Sequence, residues 1–178
     1  MKKSIISLII NIIIILLFSG CSLINPSNLV LPDDLEFLEV VEELDTPEKI
    51  SQYMIDNFIY ESHPYCFITP YELYKTGKGD CNDFALFACY ICNYHGIVNY
   101  QALIFYSNFL GKHAVCIIEE DGKYNYFDNM FYFKSKLNDF EEIIEKVNEL
   151  INFVFGYIWS KYIIYDYDMN IIEQGFNQ

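Results

Sequence analysis

Gly79-Asp80-Cys81-Asn82-Asp83-Phe84-Ala85 sets a cysteine at the junction between a glycine-ended loop and an apolar helical run. A cysteine there faces unpaired backbone N–H groups and the positive end of the helix dipole. Both favour thiolate over thiol and make the sulfur a nucleophile at neutral pH. The helix that starts at Cys81 turns Phe84, Ala88, Ile91 and Cys92 toward a core and stops at Gly96. Upstream, Asp45-Thr46-Pro47-Glu48 is a helix start followed by Ile50, Tyr53, Met54 and Phe58 near one face, and Thr69-Pro70-Tyr71-Glu72 repeats the capping logic for a short helix ending near Gly77.

Downstream the period changes. Residues 98–106, 113–118 and 123–127 are rich in β-branched and aromatic side chains and read as strands, with Glu119-Glu120-Asp121-Gly122 as a turn. The last two strands should form a hairpin. A four-residue loop sets Ile118 opposite Lys123 and His113 opposite Asp128; directly opposed Cβ atoms are roughly 5 Å apart, so the carboxylate can orient the imidazole. A two-residue turn at Asp121-Gly122 leaves the pair diagonal but on one face. Phe140, Ile143, Ile144, Val147, Leu150 and Ile151 then mark an amphipathic helix that Gly156 can end, and 157–167 reads as a last strand or two.

These features together resemble the transglutaminase-like superfamily, whose papain-like members carry a catalytic Cys at a helix start, then a His and an Asp on successive strands. The matching residues are 79–85 for the nucleophile, His95-Gly96-Ile97 for the helix end, His113-Ala114-Val115 for the histidine and Phe127-Asp128 for the acid. Residues 50–60 and Thr69-Pro70-Tyr71-Glu72 resemble that family's lead-in, so the likeness covers roughly residues 46–129. Two positions depart from the pattern: Val115 stands where many relatives have Trp, and Asn129 where many have Pro. The resemblance implies an α+β fold in which N-terminal helices, with Cys81 at a helix start, pack on an antiparallel sheet. It implies an enzyme acting on amide bonds of a protein or peptide, a peptidase or a transglutaminase. Cys81 would be the nucleophile, His113 the base and then the acid, and Asp128 the residue that holds the ring. The Cys81 N–H is a natural oxyanion donor, and a second is expected from the segment before the catalytic helix. No cofactor is required; calcium binding by Asp80, Asn82 and Asp83, as in some bacterial relatives, competes with their role as helix-start dipole partners.

The N-terminus indicates where the reaction happens. Met1-Lys2-Lys3-Ser4 followed by an apolar run at 5–18 has the form of a secretory signal, shorter than the roughly 20 apolar residues of a membrane span. Phe18-Ser19-Gly20-Cys21 resembles a bacterial lipobox, so Cys21 is expected to be acylated and to hold the chain outside the cytoplasm. The expected organisation is a lipoprotein signal peptide at 1–20, a lipid-anchored tether at 21–45 and a transglutaminase-like domain at 46–178. Loss of Lys2 and Lys3 with the leader moves the net charge from −14 to −16, so nucleic acid is an unfavourable partner and the lipid must supply the membrane contact. With 16 Tyr and 15 Phe, the chain can fill a single core.

Each feature has a plainer reading. Cys81 can be a buried structural thiol and His113 an ordinary strand histidine. As a general base, His63 in a polar loop is a rival; His95 lies near the far end of the helix from Cys81, roughly 20 Å away at about 1.5 Å per residue. Asp128 can serve the turn with Asn129. Cys66, Cys89, Cys92 and Cys116 are read as core thiols or a disulfide rather than a zinc site, since nothing supplies a second Cys/His pair. A catalytically inactive surface-binding lipoprotein that retains the fold is the alternative to the enzyme.

Overall fold

The computed structural model describes residues 33–63, 67–108 and 111–177. The leader, Cys21 and Cys66 lie outside the described residues. Among the described residues four helices precede the main sheet: α1 (Leu35–Glu43), α2 (Pro47–Asn57), α3 (Pro70–Thr76) and α4 (Cys81–Tyr94). Their starts are fixed by side chains that satisfy orphan N–H groups: Thr46 caps α2, while Thr69 with Glu72 and Asp80 with Asp83 form reciprocal capping boxes on α3 and α4. Between the helices, two short strands, β1 (Ile59–Tyr60) and β2 (Lys78–Gly79), pair in parallel and bring the chain to the start of α4.

The main sheet contains β3 (Asn99–Tyr106), β4 (Lys112–Glu120), β5 (Lys123–Asp128), β6 (Phe131–Leu137), β7 (Trp159–Asp166) and β8 (Ile171–Phe176), with α5 (Phe140–Phe155) between β6 and β7. Its order is β6-β5-β4-β3-β7-β8, with every pair antiparallel. Side-chain alternation divides two cores. Leu103, Ala114, Cys116, Ile118 and Phe127 face α4 and the helical layer, whereas Ile104, Val115, Ile117, Tyr126 and Ile164 face α5. The expected α+β architecture, helices with Cys81 at a helix start packed on an antiparallel sheet, is the one observed.

Three details differ from the sequence reading. The domain begins before Thr46: α1 buries Phe37 and Val41 in the helical core, so residues 35–45 are folded structure rather than tether. The hairpin takes the tighter turn. Glu120 pairs with Lys123, and Asp121 and Gly122 have φ of 53° and 69°, the positive values that a two-residue type I′ turn needs. Residues 131–137, read as loop, form an edge strand, and β8 adds a second strand after β7.

Candidate active site

Cys81 opens α4 and is 8% exposed. The helix runs along β4 in the same direction. Cys81 meets His113 near the start of that strand, while Cys89 Sγ donates to the Tyr100 carbonyl, which lies opposite Ile117 at the other end. The loop entering the helix is tightly built. A Cβ on Gly79 would come within 2.9 Å of Asp83 Cβ and Leu73 Cδ1, so only glycine fits there without displacement.

His113 and Asp128 come together as the tighter turn requires. Val115, not His113, is opposite Asp128, and the diagonal pair closes with a hydrogen bond of 2.8 Å between His113 Nε2 and Asp128 Oδ1. With Nε2 so engaged, Nδ1 is the ring nitrogen left for other partners, and Cys81 is within hydrogen-bonding reach of the ring. Burial opposes the charged ring, but hydrogen bonds and charge from Asp128 and Cys81 outweigh it and push the imidazolium up to about 10. Asn129, the position that departs from the expected pattern, has a φ of 51° that proline cannot adopt, and its Nδ2 donates to Asp128 Oδ1 at 3.0 Å. The departure therefore supplies a second hold on the acid, one that is not apparent without the turn geometry.

The rival base is engaged elsewhere. His63 Nε2 lies 2.6 Å from Asp83 Oδ2, and the same oxygen accepts from Asp80 N at 2.7 Å while Oδ1 accepts from Ile68 N at 2.7 Å. Asp83 is thus a buried clamp that ties two upstream segments to the start of α4. His63, Asp80 and Asp83 have ligand atoms within 4.8 Å of one another and could hold a cation. The calcium set read from the sequence shares Asp80 and Asp83 with this group, but both Asp83 oxygens are committed to protein donors. Burial and the neighbouring Asp83 carboxylate push the Asp80 carboxyl above its usual range.

His95 is distant, its Nε2 bonded to the Val41 carbonyl at 2.8 Å. Cys89, Cys92 and Cys116 are buried free thiols that meet where α4 packs on β4; burial, then hydrogen bonds to the other two, push Cys116 up. On the opposite face of the sheet, a cavity of about 390 Å³ runs between β5, β6 and α5, with Asp128 in its wall beside Tyr126, Phe133, Val147, Leu150 and Phe153. Neither Cys81 nor His113 lines it.

No curated protein matches the chain. A family model described as Transglutaminase-like domain matches residues 35–156, more than half of the 178 residues, and starts where α1 starts. The chain belongs to the transglutaminase-like family.

Proposed function

We propose that this chain is a cysteine acyl-transfer enzyme that cleaves amide bonds in proteins or peptides, with Cys81, His113 and Asp128 as its triad. One observation carries the reading: the ring of His113 meets both the sulfur at a helix start and a buried carboxylate. With Asp128 and Cys81 pushing the His113 imidazolium well above its ordinary range, the ring enters the reaction protonated beside the attacking sulfur. The sulfur attacks the substrate carbonyl carbon, and the resulting oxyanion is met by the Cys81 N–H. Collapse breaks the C–N bond as His113 gives its proton to the leaving amine, and a thioester remains. The neutral ring then takes a proton from water, which attacks the thioester and releases the acid and the thiolate. An amine in place of water gives transamidation through the same intermediate. Asp128 holds the ring through Nε2 in every step, and no metal or cofactor takes part.

The location proposed is extracytoplasmic, on a bacterial membrane, with acylated Cys21 as the anchor. Among the described residues no helix is long and apolar enough to cross a membrane. Metabolic labelling with an alkyne fatty acid tests the anchor: label that disappears in Cys21→Ser supports it, and label that persists contradicts it. For the chemistry, p-nitrophenyl acetate should place one hydroxylamine-labile acetyl group on Cys81, seen by mass spectrometry and absent from Cys81→Ala. Full-length protein that stays unacylated instead matches an inactive binding module.

A further inference from the structure

Tyr106 is 8% exposed, and its hydroxyl has no hydrogen-bond partner among the described residues. A buried, unpaired O–H is an expense that folds ordinarily avoid, so a group of this kind calls for an acceptor that arrives later. Its place in the sheet indicates which one. Ile104 pairs with His113, and Val115 pairs with Asp128. With side chains alternating between faces, Tyr106, His113 and Asp128 therefore project from the same face of β3, β4 and β5. Tyr106 lies beyond His113, toward the sheet end where β4 begins and Cys81 approaches. The ladder is irregular at this residue: β7 pairs Lys161 with Phe105 and then Trp159 with Tyr106, so Ser160 is the extra residue of a bulge. Bulges re-aim side chains and are common beside active sites. The ring is held against Tyr157, with centroids 5.8 Å apart.

We infer that the Tyr106 hydroxyl is a catalytic hydrogen-bond donor to the oxyanion formed when Cys81 attacks its substrate, completing with the Cys81 N–H the pair of donors that acyl transfer needs. The inference rests on the proposed cysteine chemistry. It also moves the second donor from the segment before α4, where it was expected, to a strand after it. Burial, and then the charges of Asp128 and Cys81, push the phenol above its ordinary range, so it remains a donor throughout neutral pH. Tyr60 is the upstream rival: it lies within electrostatic reach of Cys81 but is 54% exposed and open to water.

The test compares two reactions of Cys81 in the purified full-length protein and in Tyr106→Phe and Tyr60→Phe. Acylation by p-nitrophenyl acetate forms a C–S bond through an oxyanion and expels p-nitrophenolate. Alkylation by iodoacetamide forms a C–S bond with loss of iodide and no oxyanion. Tyr106→Phe should slow acylation by about 10²–10³-fold, leave alkylation within about 2-fold and melt no lower than wild type, since the lost hydroxyl had no partner. Unchanged acylation, an equal loss of both reactions, or a selective loss in Tyr60→Phe instead overturns the assignment and leaves the cysteine reading standing. A wild-type Cys81 that takes neither reagent overturns that reading and the inference with it.

Discussion

Two imidazole–carboxylate pairs flank the start of α4, and their hydrogen bonds are nearly alike: His113 to Asp128 at 2.8 Å and His63 to Asp83 at 2.6 Å. They differ in what else each carboxylate and ring touches. Asp83 also accepts two backbone N–H groups that belong to the loops before the helix, so its charge is spent on holding the chain. Asp128 pairs with His113 and accepts from the side chain of its neighbour Asn129, and the His113 ring also interacts with Cys81. The length of a histidine–carboxylate bond therefore says little about its role. The rest of the partner inventory separates a pair that ties loops to a helix start from the pair that the proposed mechanism assigns to Cys81.

That separation can be broken first at the histidines. His113→Ala should lower acylation of Cys81 by about 10²–10⁴-fold, the usual contribution of a general acid–base, while His63→Ala leaves most of the rate. The carboxylates should divide the other way. Asp83→Ala strands two partly buried backbone N–H groups, removes the partner of His63 and should reduce unfolding free energy by about 2–4 kcal/mol in urea titrations, whereas Asp128→Ala should cost more in acylation rate than in stability.

The pH dependence sharpens the comparison. Because folding raises His113 from 6.5 to about 10, the stability gained is fully present below about pH 6.5 and is lost as pH rises through about 10. Unfolding free energy should fall across that window by a few kcal/mol in wild type, and by much less in His113→Gln. Gly79→Ala should destabilise by about 1–3 kcal/mol, because the added methyl meets the backbone-proximal Cβ of the Asp83 clamp rather than a pliable side-chain end. The smallest effect is expected for Asn129→Ala, about 1 kcal/mol, from one lost hydrogen bond to Asp128 and a strained left-handed backbone.

The helices and the Cys81 position were legible because caps are local: Thr69 with Glu72, and Asp80 ahead of Cys81, act over three residues. The hairpin was legible as a hairpin, but its register depended on whether two or four residues made the turn, and alternation allowed either. β6 escaped notice because an edge strand need not alternate; it is largely exposed and carries Lys134 and Lys136, charges that discourage pairing with another chain. The acidic stretch at 35–44 concealed α1, whose two buried anchors, Phe37 and Val41, have meaning only against α3 and α4. The clamp made by Asp83 and the place of Tyr106 could not be read from the sequence. One looked like a helix-start charge and the other like one of 31 Tyr and Phe residues, and only long-range packing distinguishes them.

The most direct measurement is the rate of iodoacetamide labelling at neutral pH, read residue by residue by mass spectrometry, for wild type, His113→Ala and His63→Ala. The buried Cys89, Cys92 and Cys116 serve as internal references. The account predicts selective labelling of Cys81, slowed about 10-fold or more in His113→Ala and changed less than about 2-fold in His63→Ala. Labelling that is unselective, or that responds to His63 and not to His113, would contradict it.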